Sequence, residues 1–342
     1  MNFLDDKKIK VTRFVIEEWT ADDHRNAAEN LQLHAALPLD AITGEEPNLG
    51  WANGRAELNL DLADCMVADN IFASMRIAVR KIPAGIANAL YRKKAEEYKK
   101  NHNTDFIGRK AKREIEEEVK ETLLPRTMPT VKSAWVVVTP NGVAYLGSVA
   151  NKDKEFFRQL FYDTFKKELA ERNIAGIVPE CFIEKAHLDA DADLEFLTDL
   201  FRQTEEQNDV NFAVFAPFDL VSPDGEGLCT RALADGDCAK SSEEVRIALK
   251  GKKLLKKLRM SVVPVFGYGE HDVFEFTLTR DLGMSGLKTP EGEEQEFAAR
   301  FVEKLGMVAD IFTWIDGAVL DFADRASKPD YPDKVRTWIA TR

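Results

Sequence analysis

Residues 135–149, Trp-Val-Val-Val-Thr-Pro-Asn-Gly-Val-Ala-Tyr-Leu-Gly-Ser-Val, decide the fold class. Asn141-Gly142 stands between two apolar, β-branched runs, the strongest short-range signal for a β-hairpin. Downstream, Phe156, Phe157, Leu160, Phe161, Phe165 and Leu169 recur at helical spacing. They predict an amphipathic helix over 152–172 whose stripe is core. Upstream, the pattern predicts a strand over 8–16, then a helix from Thr20, where Thr20 can cap and Asp22 and Asp23 suit the first turn. Residues 37–53 read as loop, the alternation over 56–62 as a half-buried strand, and 76–82 as a short strand. Further on come an acidic helix over 186–209, a strand over 212–220, and a helix opened by a Ser241/Glu244 capping box. A second hairpin pairs 262–266 with 273–279 about Gly267-Tyr268-Gly269-Glu270, and a last amphipathic helix covers 294–314.

Strands and helices mix without regular βαβ alternation, so the class is α+β: antiparallel hairpins packed with helices. No internal repeat or low-complexity tract is present. The chain divides into an N-terminal α+β part (1–82), a charged helical finger (83–125), an α+β part with two hairpins (126–325) and a loosely held tail (326–342). The finger carries few apolar anchors (Leu90, Phe106, Ile115, Val119, Leu123), and Asn101-His102-Asn103-Thr104 splits it into two helices. Pro125 ends it.

At 342 residues the chain has room for two domains or one large one, with 44% apolar and 31% charged residues, ordinary for a globular protein. No run of about 18 apolar residues predicts a membrane span, and the N-terminal residues lack the apolar core of a secretory signal. A cytoplasmic location is therefore expected. Four cysteines (Cys65, Cys181, Cys229, Cys238) in so long a chain are not a disulfide framework.

The net charge of −12 argues, as an average, against nucleic acid. The average conceals segregation. Residues 76–132 hold 15 basic and 8 acidic residues, and residues 245–259 hold 7 basic and none acidic. Each island is +7, which leaves −26 for the remainder. A charge run of this kind also fits a solvated helical hairpin.

Residues for chemistry are sparse. The five histidines are scattered, none spaced with another His or a Cys as zinc ligands require. Neither a nucleophile elbow nor a phosphate loop occurs. Metal-dependent phosphodiester cleavage needs clustered carboxylates. Glu118-x-Lys120 lies in a helical run, upstream of every Pro-Asp pair, so the usual nuclease order is missing. Asp189, Asp191 and Asp193 could bind a cation, but acids at the start of a helix are the commoner explanation. No catalytic residue, metal site or cofactor is assigned.

The run Leu123-Leu124-Pro125-Arg126, followed by the Asn141-Gly142 hairpin, resembles RdgC, the bacterial recombination-associated DNA-binding family, sometimes labelled an exonuclease. Gly50-Trp51, Ala52-Asn53-Gly54, Ser242-Glu243-Glu244-Val245 with Gly251-Lys252 and Lys257-Leu258, and Ala299-Arg300-Phe301 are similar to further family motifs in the same order. The resemblance implies a ring-shaped homodimer that encircles double-stranded DNA with little sequence preference, is nucleoid-associated, and restrains RecA indirectly through the shared DNA. Basic residues would line the hole and acidic ones the outside. The chain departs from the family at Met128, where an aromatic is usual, and at residues 235–239, and it has extra length near 20–45 and at the C-terminal end.

The candidate DNA contacts are Arg92, Lys93, Lys94, Lys99, Lys100, Arg109, Lys110, Lys112, Arg113 and Arg126 in the first island. Lys250, Lys252, Lys253, Lys256 and Lys257 form the second. Arg126 and Lys252 follow from motif matches, the others from charge. Lys252, Lys253, Lys256 and Lys257 share one face if the segment is helical, whereas Leu254, Leu258, Met260 and Val262 alternate as in a strand. Two other functions remain open: a metal-dependent exonuclease, and an acidic protein-interaction module that does not bind DNA.

Overall fold

The computed structural model describes residues 3–179, 192–206, 211–222, 229–232, 243–263, 273–289 and 296–341. Its strands are β1 (Ile9–Ile16), β2 (Asn48–Asn53), β3 (Met66–Val67), β4 (Asn70–Val79), β5 (Thr130–Val138), β6 (Val143–Leu146), β7 (Leu169–Glu171), β8 (Phe212–Val221), β9 (Thr230–Ala232), β10 (Leu254–Val262), β11 (Phe274–Thr279) and β12 (Met284–Lys288). Among the described residues the helices are α1 (Ala21–Arg25), α2 (Ala27–Leu33), α3 (Ala84–Asn101), α4 (Arg109–Leu123), α5 (Asn151–Phe165), α6 (Ile174–Ile177), α7 (Ala192–Glu206), α8 (Glu243–Lys250), α9 (Phe297–Ala326) and α10 (Tyr331–Thr341). No helix among them is long and apolar enough to cross a membrane.

The β5–β6 hairpin forms as its sequence requires. Gly142 takes the turn with φ +79°, and Thr139 and Val143 close it. From there an antiparallel sheet extends in the order β2-β4-β5-β6-β1-β12-β11-β10-β8-β9, with β3 on β4 and β7 on β1. β1 divides its ladder: Ile9 and Val11 pair with β12, and Thr12 to Val15 pair with β6. The register is irregular between Ile9 and Val11, where the two wings of the sheet meet.

The central strands are buried on both faces. Ala134 to Val138 are all buried, which is why that stretch reads as an unbroken apolar run. Val136, Val138 and Met75 face α5, whose Phe157, Leu160 and Phe161 are fully or nearly fully buried. Trp135, Val137 and Phe72 face the other way, against Phe3 and α9 residues Phe301, Val308 and Phe312. Trp51 ties β2 to α5 by donating from Nε1 to Thr164 Oγ1 at 2.7 Å.

Several expectations are corrected. Residues 56–62 are not a strand. Asn59 and Asp61 accept from the backbone two residues on, at 3.0 Å each, and Asn53 accepts likewise from Arg55 at 2.9 Å. These local turns compete successfully with the alternation. The predicted loop instead contains β2, since Gly50 marks a close approach: a Cβ there would collide with the Ala36 backbone. β4 is longer than expected, its polar Asn70, Ser74 and Arg76 being paired within the sheet. α5 ends at Phe165, with Lys166 left-handed, and Leu169 lies in β7. The 254–262 segment takes the strand alternative, and Val262 pairs with Phe274. Ser241, the Gly267–Glu270 turn, Asp189, Asp191, Cys181 and Cys238 lie outside the described residues.

α9 runs 30 residues, twelve beyond the predicted end at Trp314, and the tail beyond it is helical rather than loosely held. Trp338 of α10 is 3% exposed and donates to Glu205 at 2.9 Å. Tyr331 donates to Asp199 at 3.0 Å. Asp199 is fully buried and also accepts from Arg202, Gln203 and Arg325, so one carboxylate joins α7, α9 and α10.

Gly147 provides a test of the double-sided packing. A Cβ there would lie 2.5 Å from the Trp135 ring, which is itself locked among Phe3 and Phe72. Gly147→Ala is expected to cost about 1–3 kcal/mol, read as a lower urea midpoint with an unchanged m-value.

Candidate nucleic-acid interface

The finger leaves the sheet between β4 and β5. No side chain of α3 is buried, and α4 buries Ala111, Ile115 and Val119. Lys94 pairs with Glu118 across the two helices. The foot is held from within: Arg80, 7% exposed, donates to the carbonyls of Leu124 and Pro125 at 3.1 and 2.9 Å. The Leu-Leu-Pro-Arg motif is thus a bend whose carbonyls are satisfied by a buried arginine. Lys120 pairs with Glu45 at 2.6 Å.

The tip is residues 102–108. His102 stacks on Tyr98 at 4.1 Å, and Thr104 accepts from the Phe106 amide at 3.2 Å. Phe106 is 78% exposed, so the expectation that it anchors the finger is wrong. The missed signal was position: a residue inside the break between two helices faces neither of them.

Charge on the finger is polarised along its length. Lys99 and Lys100 close α3, while Arg109, Lys110, Lys112 and Arg113 open α4, whose first turn holds no acidic residue. Glu116, Glu117, Glu118 and Glu121 lie nearer the foot. Cations at a helix N-terminus oppose the macrodipole, so α4 carries its charges in the unfavourable order. The pairs Lys110–Glu114 at 3.8 Å and Lys112–Glu116 at 3.9 Å are loose and run in the weaker orientation. Arg92, Lys93, Lys99, Lys100, Arg109, Arg113 and Arg126 make no ion pair among the described residues.

The second island is built differently. α8 ends in a left-handed Lys252, φ +59°, and the Lys252 and Lys253 amides return to Leu249 and Ala248. Lys250, Lys252 and Lys256 are exposed. Lys253 donates to Thr230 at 2.7 Å, and Lys257 is engaged by Asp219 at 2.7 Å. Lys256 and Lys257 lie on β10, so the four lysines do not share a helical face.

The two islands are not contiguous within one chain. From β4 to β10 there are six strand steps, about 29 Å along the sheet. The finger follows the C-terminal end of β4, whereas Lys252 and Lys253 precede the N-terminal end of β10.

Among the described residues no group of three or more His, Cys, Asp or Glu is arranged to hold a metal ion. Burial pushes the Cys65 thiol up to about 11, which makes it a poor nucleophile. The Glu118 and Lys120 side chains are committed to Lys94 and Glu45.

Residues 7–175 match the family model RdgC, described as "Putative exonuclease, RdgC". The matched stretch runs from β1 through the finger and the hairpin to the start of α6. No curated protein matches the chain.

Two variants test the conformational conflicts in the islands. Replacing Arg109, Lys110, Lys112 and Arg113 together by Gln should slow amide exchange in the first turns of α4 several-fold, because the dipole conflict is removed. Lys252→Gly should raise stability by about 0.5–1 kcal/mol, since glycine takes positive φ without steric cost, measured as an increase in the denaturation midpoint.

Proposed function

Because the chain belongs to the RdgC family through residues 7–175, and so has a nucleic-acid-associated role, we propose that it binds double-stranded DNA without sequence preference. The active form in this reading is a ring-shaped homodimer that limits RecA's access to the DNA it encloses. One observation carries the reading: α4 opens with four cations, Arg109, Lys110, Lys112 and Arg113, in the charge order that the helix opposes. A helix built only for stability would carry acids in that first turn. Phosphate recognition accounts for the arrangement, since backbone contacts need positive charge and carry no sequence information.

The spacing of the islands supports a closed assembly over a single patch. About 29 Å of sheet separates them, more than the width of a duplex groove, so one chain presents two separate cationic contacts. Two copies in a ring would turn both toward one enclosed duplex. The acidic remainder of the chain would then face outward.

The family description favours a second reading, a metal-dependent exonuclease. One experiment addresses both. Affinity for a nonspecific duplex of about 30 base pairs is measured across a salt series, and the same DNA is incubated with Mg²⁺ or Mn²⁺. Six tip cations on phosphates would give a log–log slope of about −5. The four-Gln variant should reduce that slope by about 3–4 units across all sequences alike. Time-dependent shortening of the DNA would replace the binding reading with the nuclease, and absence of binding at low salt would end it.

A further inference from the structure

Beneath α10 lies a cavity of about 320 Å³, bounded by α7 on one side and by Ala326 at the end of α9. It lies outside the matched stretch 7–175 and owes nothing to the DNA reading. Its roof is Tyr331, Pro332, Val335 and Trp338, and Leu254 closes the floor beside Thr198, Asp199 and Arg202. The volume falls at the lower end of the range for small-molecule sites.

The polar groups around it are already committed. Asp199 accepts from Arg202, Gln203, Arg325 and Tyr331. The second arm of Arg202 goes to Glu206 at 2.7 Å. Thr198 Oγ1 donates to Leu194 at 2.8 Å and accepts from the Leu255 amide at 3.1 Å. Burial and then the Asp199 carboxylate push the Tyr331 hydroxyl far upward, which keeps it neutral. Each stable water needs two to four polar partners, and these walls have few to give. Water held there is displaced at a gain by an apolar group. An anionic ligand would meet the carboxylates of Asp199 and Glu195, and the one cation in the lining, Arg202, is already paired.

We propose that this cavity is a binding site for an uncharged, flat, apolar molecule of one or two rings, held between Tyr331, Trp338 and Leu254. The site depends on α10, so occupancy fastens the C-terminal helix to α7.

The test uses the full chain with toluene as probe and benzoate as its charged counterpart. At ten times its Kd, toluene should raise Tm by about 2–4 °C, and benzoate should leave it unchanged. Ala326→Trp places an indole in the cavity and should abolish the toluene shift. Val335→Trp, from the opposite wall, should do the same if Ala326→Trp folds poorly. No shift with toluene, an equal shift with benzoate, or a toluene shift that survives both filling variants would overturn the proposal.

Discussion

Because the central strands are apolar on both faces, each face requires its own cover. α5 covers one with Phe157, Leu160 and Phe161, and α9 covers the other with Phe301, Val308 and Phe312. Charge is therefore admitted to the middle of the molecule only where it is ion-paired or, as with Arg76 and Arg80, bonded to backbone carbonyls. Arg13 of β1 is such a case, held by Asp316 of α9 and lying 4.6 Å from the Phe312 ring. Exposed cations collect at the periphery, on the finger beyond β4 and β5 and around the turn before β10. The segregation seen in the composition is thus a consequence of where a sheet covered on both sides can tolerate charge.

Much of this was legible from residues alone. The Asn141-Gly142 hairpin, the two-helix finger and the Thr20 cap all follow from local chemistry, and all three are present. What failed was governed by tertiary contacts or by side chains bonding to nearby backbone. Gly50 and Gly54 looked like loop glycines, yet they are required by close packing against Ala36 and Phe72. The 56–62 alternation was genuine, but Asn59 and Asp61 turned the chain first. The tail looked polar because its anchors are few: Tyr331 and Trp338 fix it, and their partners Asp199 and Glu205 are more than 125 positions away. Of the candidate interface, the cations could be read as a list; their polarity along the finger and the commitment of Lys257 to Asp219 required three dimensions.

The start of α4 is a place where local preferences conflict. Local preference, pairing and burial agree across most of the chain, as expected of a sequence that specifies one structure. They disagree at the start of α4, where basic residues crowd the positive end of a helix, and at the seven non-glycine residues of positive φ among those described, Lys166 and Lys252 included. Conflicts of this kind are expected to cluster at functional sites.

The divided ladder of β1 has a kinetic consequence. Ile9 finds its partner at Leu287, 278 residues later, so the Ile9–Val11 part of the first strand, which β7 does not reach, stays open through most of synthesis. At about 5–20 residues per second that interval is roughly 15–55 s. An open strand edge is a template for pairing with another chain. Lys8 and Lys10, both exposed, place positive charge at that edge and disfavour such pairing until β12 emerges to close it.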